Sequence, residues 1–152
     1  MLKIGVISDT HGCLLPRMKT LFGGVDLILH AGDIGDTGII SELEEIAGIE
    51  AVFGNMDNSM VRAKTGEKIV LDKNGCRIGL AHGGGSPYTI IARLENMFRN
   101  DNVDIIVFGH THSPLEEQVG DIFFFNPGDG RKTAGFLEIE EDGNFKTRIV
   151  RI

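Results

Sequence analysis

Five times along this chain a short, β-branched apolar run stops at a cluster of Asp, His, Asn and Gly. The runs at Lys3 to Ile7, Leu27 to Leu29, Ala51 to Phe53, Ile78 to Ala81 and Ile105 to Phe108 read as buried strands. The stations that follow are Ser8-Asp9-Thr10-His11, Gly32-Asp33, Gly54-Asn55-Met56-Asp57, Ala81-His82-Gly83 and Gly109-His110-Thr111-His112. Open α/β sheets collect their ligand sites beyond the carboxyl ends of strands, so this pattern constrains fold and site together. His11, His82, His110 and His112 all stand at stations, out of five histidines in the chain.

Between the runs lie helical segments at Leu14 to Phe22, Gly38 to Ala47 and Pro87 to Arg99. In the last, Ile90, Ile91, Leu94, Met97 and Phe98 form one apolar stripe. Ser86 is placed to cap that helix, with Pro87 at its first position, where a missing N–H costs nothing. Strand and helix alternating over the first two thirds predict a largely parallel sheet covered by helices. The final third reads as closely spaced strands at Leu115 to Val119, Ile122 to Phe125, Gly135 to Ile139 and Phe145 to Val150. Gly120-Asp121 and Asp142-Gly143-Asn144 supply turns between them, which predicts a second, mostly antiparallel sheet. Two sheets packed face to face with helices outside would bury both strand sets. No linker or repeat interrupts residues 1–152, so one domain is expected.

Several functions are disfavoured by composition. No apolar run approaches the roughly 20 residues that span a bilayer, and the amino terminus lacks a signal peptide's apolar core and cleavage site. No membrane association is expected, and a cytoplasmic location is. A formal charge of −7 argues against a surface that holds nucleic acid through its phosphates, so no stable nucleic-acid complex is expected. Cys13 and Cys76 lack disulfide or zinc-knuckle spacing and read as idle thiols, with Cys13 a weak alternative ligand. The sequence leaves a homo-oligomer open.

The stations point to metal chemistry. In extended backbone, residues two apart project to one side, so Asp9 with His11, and His110 with His112, are each expected to converge on one ion. Mixed carboxylate, amide and imidazole donors suit transition metals, with Mn²⁺ the leading candidate and Ni²⁺, Zn²⁺, Fe²⁺ or Co²⁺ the alternatives. One carboxylate can bridge two ions about 3.5–4 Å apart, and Asp33 is the candidate bridge. Asp57 either satisfies turn backbone or orients the loop carrying Asn55. His30 matches no ligand position and reads as a packed histidine bonded to a carboxylate or carbonyl. Arg131 and Lys132 read as a solvated basic turn, with contact to a phosphate the less common alternative.

Taken together, the stations resemble the calcineurin-like metallophosphoesterase family, whose pattern is Asp-x-His, Gly-Asp, Gly-Asn-x-Asp or Glu, a lone His, and Gly-His-x-His. The match covers Lys3 to His112. The resemblance implies an α/β/β/α sandwich of two mixed sheets flanked by helices. It also implies two divalent ions, one held by Asp9, His11, Asp33 and His112 and the other by Asp33, Asn55, His82 and His110. Asp33, Asn55 and Asp57 become the candidate catalytic residues of a phosphodiesterase, acting on a small phosphodiester through a hydroxide that bridges the metals. The compact length, Leu29-His30-Ala31-Gly32-Asp33 and Asn126-Pro127-Gly128 look like the small, capless bacterial and archaeal branch. Two positions depart from the pattern. Met56 stands where many members have a histidine that protonates the leaving group, and Asp129 stands where this branch often has serine. Asp129 is expected to affect substrate choice more than metal binding. The alternative function is a catalytically weak relative serving as a protein-binding scaffold, as this fold does in the retromer scaffold subunit. An intact ligand set favours the enzyme.

Overall fold

The structure, a computed structural model, describes all 152 residues. Its strands are β1 (Leu2–Ile7), β2 (Leu27–His30), β3 (Gly48–Ala51), β4 (Lys68–Lys73), β5 (Cys76–Ala81), β6 (Ile105–Val107), β7 (Leu115–Val119), β8 (Ile122–Asn126), β9 (Thr133–Ile139) and β10 (Phe145–Arg151). Its helices are α1 (Arg17–Leu21), α2 (Thr37–Glu44), α3 (Ser59–Lys64) and α4 (Ile90–Met97). The first sheet runs β10-β9-β1-β2-β3 and the second β4-β5-β6-β8-β7. Both are mixed: β1, β2 and β3 are parallel, as are β5, β6 and β8, and antiparallel strands flank each set.

Side-chain alternation explains the layers. In β1, Ile4 and Val6 point between the sheets while Ile7 points to the outer face. In β6, Ile105 and Val107 face inward and Ile106 outward. Phe125 belongs to the central layer, and Phe124 packs outside against α4 residues Ile90 and Leu94. The other outer layer sets Met18, Ile39, Leu43 and Val61 from α1, α2 and α3 against the first sheet. Three apolar layers between four structural ones make the α/β/β/α sandwich expected from the resemblance. No helix is long and apolar enough to cross a membrane.

The strands of the final third do not form a sheet of their own. β9 pairs antiparallel with β1, bringing β10 into the first sheet, whereas β8 pairs parallel with β6 and carries β7 into the second. Each hairpin thus completes one of the existing sheets, because the inward faces of β8 and β9 pack in the same central layer from opposite sides.

Several boundaries also moved. The strand expected at Ala51 to Phe53 is Gly48–Ala51, in register with β2, because Phe53 N–H turns away to donate to Gly66 O (2.9 Å). The first helix is confined to Arg17–Leu21, since Pro16 disfavours helical backbone at the residue before it. The second begins one residue earlier than expected and ends at Glu44; Asp36 caps it by accepting from Gly38 N–H (2.8 Å). Ser86 and Pro87 open a separate turn: Ser86 Oγ accepts from Tyr88 N–H (3.2 Å) and Ser86 O from Thr89 N–H (3.0 Å), and α4 starts only at Ile90. Unforeseen were α3 and β4. A signal for β4 was present in Asn74-Gly75, whose φ values of +52° and +80° suit a two-residue hairpin turn into β5.

Candidate metal centre

Every candidate ligand follows a strand from a parallel set. Asp9 and His11 follow β1, Asp33 follows β2, Asn55 follows β3, His82 follows β5, and His110 and His112 follow β6. Four therefore come from the first sheet and three from the second. They meet across the seam, where His82 Nδ1 donates to Ala31 O (2.7 Å) and His110 N–H donates to Asp9 Oδ2 (3.2 Å).

The backbone there is not extended. Asp9, His11, Asp33, His110 and His112 all have φ between +48° and +69°, and only Asn74 and Asn102 share that left-handed region among the other non-glycine residues. Such strain, roughly 1–3 kcal/mol for each residue, persists where surrounding structure imposes it and clusters at functional sites. It corrects the expected convergence of residues two apart. Asp9 and His11 do converge, with His11 Nε2 3.9 Å from Asp9 Oδ1, but through left-handed kinks rather than strand alternation. His110 and His112 part company. His112 joins His11 (Nε2 to Nε2 3.4 Å), while His110 joins Asn55 (Nδ1 to Oδ1 3.3 Å) and sets its ring edge-on to His82.

Two donor groups result, one of Asp9, His11 and His112 and one of Asp9, Asp33 and His82. Asp33 Oδ2 lies 3.3 Å from His82 Nε2 and 3.9 Å from His11 Nε2, between the histidine pairs. Asn55 Oδ1 stands 3.1 Å from His82 Nε2. Close approach demands glycine nearby: a Cβ on Gly54 would collide with Asp33 Oδ1, and one on Gly109 with Ser8 Oγ.

Backbone acceptors orient the rings. His82 gives its Nδ1 proton to Ala31 O, and His110 gives its Nε2 proton to Gly85 O (2.9 Å), so each turns a lone pair toward the centre. Burial pushes the pKa of Asp9 up despite the Ser8 hydroxyl on Oδ2 (2.6 Å). For Asp33 burial acts in the same direction but is outweighed by His82 and the Met56 N–H (2.9 Å), which hold its carboxyl below the usual range. For His82 burial is likewise outweighed, by Asp33, and the imidazole is raised. Asp9 Oδ1 is buried without a hydrogen-bond partner although His112 Nε2 lies 3.2 Å away. A bare carboxylate oxygen facing imidazole nitrogens is an arrangement that a shared cation resolves, so the residues present fit divalent ions.

Asp57 does not face the ligands. Its carboxylate accepts from Gly54 N–H (2.8 Å), Ile34 N–H (3.2 Å) and Gly35 N–H (2.8 Å), tying the Asn55 loop to the Asp33 loop. His30 is fully buried, with neither carboxylate nor carbonyl as partner: Nε2 donates to Thr10 Oγ1 (2.9 Å) and Nδ1 accepts from Gly32 N–H (3.2 Å). Burial, aided by His82, draws its pKa down to about 3. Asp129 reaches the edge of the site. Arg131 chelates it through Nε (2.9 Å) and Nη2 (2.8 Å), holding its carboxyl down at about 2, and its Oδ2 lies 3.6 Å from His112 Nδ1. It therefore faces a candidate ligand, and Arg131, although exposed, is half of an ion pair. Cys13 is exposed and belongs to neither donor group. Ser8 and Asn126 were missed as supports. Asn126 Nδ2 donates to Gly109 O (3.0 Å) and Thr111 Oγ1 (3.1 Å), steadying the loop between His110 and His112, and its place in Asn126-Pro127-Gly128 was the available signal.

Residues 2–138 match the sequence profile of the calcineurin-like phosphoesterase superfamily domain. A probable metallophosphoesterase of Methanocaldococcus jannaschii is 38% identical over 133 residues, covering 82% of this chain and 66% of that protein. The phosphodiesterase YfcE of Escherichia coli is 30% identical over 153 residues, covering 84% of this chain and 79% of its own. Among solved structures, a Thermotoga maritima protein superposes with a TM-score of 0.81 at 28% identity, covering both chains fully. Vacuolar protein sorting 29 from Cryptosporidium parvum superposes at 0.78 with 18% identity, covering 99% of this chain and 97% of its own, a likeness of fold alone.

Proposed function

The chain belongs to the calcineurin-like phosphoesterase superfamily, and from that premise we propose that it is a phosphodiesterase that works with two divalent transition-metal ions, carried by one domain spanning residues 1–152. The observation that carries this reading is the position of Asp33 Oδ2 between the His11 and His82 imidazoles, where one carboxylate can serve two ions. Asp9, His11, Asp33 and His112 would hold one ion, and Asp33, Asn55, His82 and His110 the other. When bound, the ions supply an activated water and positive charge at the phosphoryl oxygens, with manganese the first candidate and nickel, zinc, iron or cobalt the alternatives.

The chain's own residues do the rest. Ala31 O and Gly85 O keep His82 and His110 in the tautomers that present lone pairs inward. The Met56 N–H donates to Asp33 Oδ1 and favours the ionised carboxylate. With Asp9 and Asp33 the only carboxylates among the seven candidate ligands, two divalent ions leave a net positive centre that attracts a singly charged diester. Asp57 positions Asn55 and is not placed to touch substrate. The complete donor set is what favours an enzyme over a protein-binding scaffold.

Metal-stripped protein assayed on an activated phosphodiester and its monoester, with Mn²⁺, Ni²⁺, Zn²⁺ or Mg²⁺ added back, tests the reading. Turnover restored by metal and greater on the diester is expected; tight metal binding without turnover favours the scaffold. Asp33→Asn keeps an oxygen for the Met56 N–H, so it should fold while losing more than about a hundredfold in kcat, beyond the 10–100-fold typical of lost outer partners. Undiminished turnover in that variant would sink the bridging role.

A further inference from the structure

A cavity of about 230 Å³ opens directly against Asn55 and His82, outside the ligand cluster itself. Its walls come from two places: Phe53, Arg62 and Glu67 from the segment between β3 and β4, and Met97 from the end of α4. Both walls are held. Arg62 donates from Nε to Asp57 O (2.9 Å) and from Nη2 to Gly54 O (3.4 Å), and its guanidinium lies 4.4 Å from the centre of the Phe53 ring. Lys68 Nζ donates to Met97 O (2.9 Å), tying the end of α4 to β4. Met97 is 38% exposed although it lies on the apolar stripe of α4, and its neighbours Leu94 and Phe98 are buried.

Resting on the phosphodiesterase reading, we propose that this cavity receives one ester substituent of the diester, and that the substituent is the base of an aminopurine nucleoside. A guanidinium held over an aromatic ring offers a stacking surface to another planar system, and a thioether makes favourable contacts with aromatic edges. At about 230 Å³ the cavity falls below the roughly 300–1,000 Å³ of pockets that enclose drug-sized ligands, so it suits a single ring system. Glu67 repels a further phosphate and, as a carboxylate, only accepts hydrogen bonds, which suits an exocyclic amine. Asn55 and His82 at the cavity floor place the phosphodiester beside the candidate metal centre while the base occupies the cavity.

The test compares adenosine 5′-(p-nitrophenyl phosphate) with methyl p-nitrophenyl phosphate in the Mn²⁺-loaded protein; both release the same leaving group. The nucleoside ester should have a kcat/KM higher by about tenfold or more, chiefly through KM, as stacking of one base on a side chain can supply. Met97→Glu, an exposed change that should fold, is expected to reduce that ratio at least about fivefold, and Glu67→Lys should lower it as well. Equal kcat/KM for the two esters, with both turned over, overturns the subsite and leaves the phosphodiesterase reading standing. A ratio unchanged in both variants puts the base elsewhere and also overturns it. Hydrolysis of neither ester overturns the reading and the subsite together.

Discussion

Met56 and His30 sit one and three residues from candidate ligands and are governed by opposite environments. The Met56 side chain is 69% exposed while its N–H is bound to Asp33 Oδ1 (2.9 Å), so an imidazole there would stand at the open face of the site without disturbing the backbone. Met56→His should raise turnover of esters with poor leaving groups by about tenfold to a hundredfold, short of the ~10²–10⁴ of an evolved general acid, and should matter little for nitrophenyl esters. Equal effects on both ester classes would contradict the missing-acid argument. His30 is fully buried and neutral, with its pKa drawn from 6.5 to about 3. A depressed histidine leaves stability intact above pH 6.5; between 6.5 and 3 the unfolded chain binds the extra proton and stability falls with pH. This single group contributes up to about 1.4 kcal/mol per pH unit in that window. Denaturant melts of metal-free protein at pH 7.5 and 5 should therefore show a smaller acid loss for His30→Gln than for wild type; parallel losses would remove His30 from the account.

At the level of elements, the site is a set of loops held to one another rather than to their own strands. Asp57 is the clearest case, since its carboxylate serves three backbone N–H groups on the loops that follow β2 and β3. Asp57→Ala strips those donors of their acceptor and should cost about 2–4 kcal/mol in a denaturant melt, with a fall in activity because the Asn55 loop is released from the Asp33 loop. Unchanged stability would show that water replaces the carboxylate without cost. The expected N-cap of α4 shows how local signals mislead. Ser86-Pro87 is a good helix start in isolation, yet Gly85 O, immediately before it, accepts from His110, and the chain completes a turn before α4 begins at Ile90. By contrast the apolar stripe was legible: Ile90, Leu94 and Phe98 are buried and Ile91 is half-buried, while Met97 at its end is exposed.

Across the whole molecule, the two sheets meet in a central apolar layer and again at the candidate metal centre, which draws four ligands from one sheet and three from the other. Ions bound there would join the sheets, so metal should stabilise the fold as well as activate it. At a hundredfold excess over Kd the linkage is about 2.7 kcal/mol, or roughly 5–10 °C in Tm for a chain of this size. A thermal melt with and without Mn²⁺ reads it directly, and an unmoved Tm would mean that these side chains do not bind the ion in the folded state. The donor inventory and most of the strands bearing it were legible because both are local: apolar runs of three to five residues and the residue types that end them need no partner to be recognised. The layer order followed from two sheets that must cover each other with helices outside, and the family pattern implied the same order. Only the tertiary structure decided the remainder. It sent β7 and β8 to one sheet and β9 and β10 to the other, because pairing depends on which edges are free and which faces the core can cover. It parted His110 from His112, as the family pattern implied, by left-handed backbone that strand periodicity cannot foresee, and it brought Phe53, Arg62 and Met97 together from distant segments into one cavity beside the candidate metal centre.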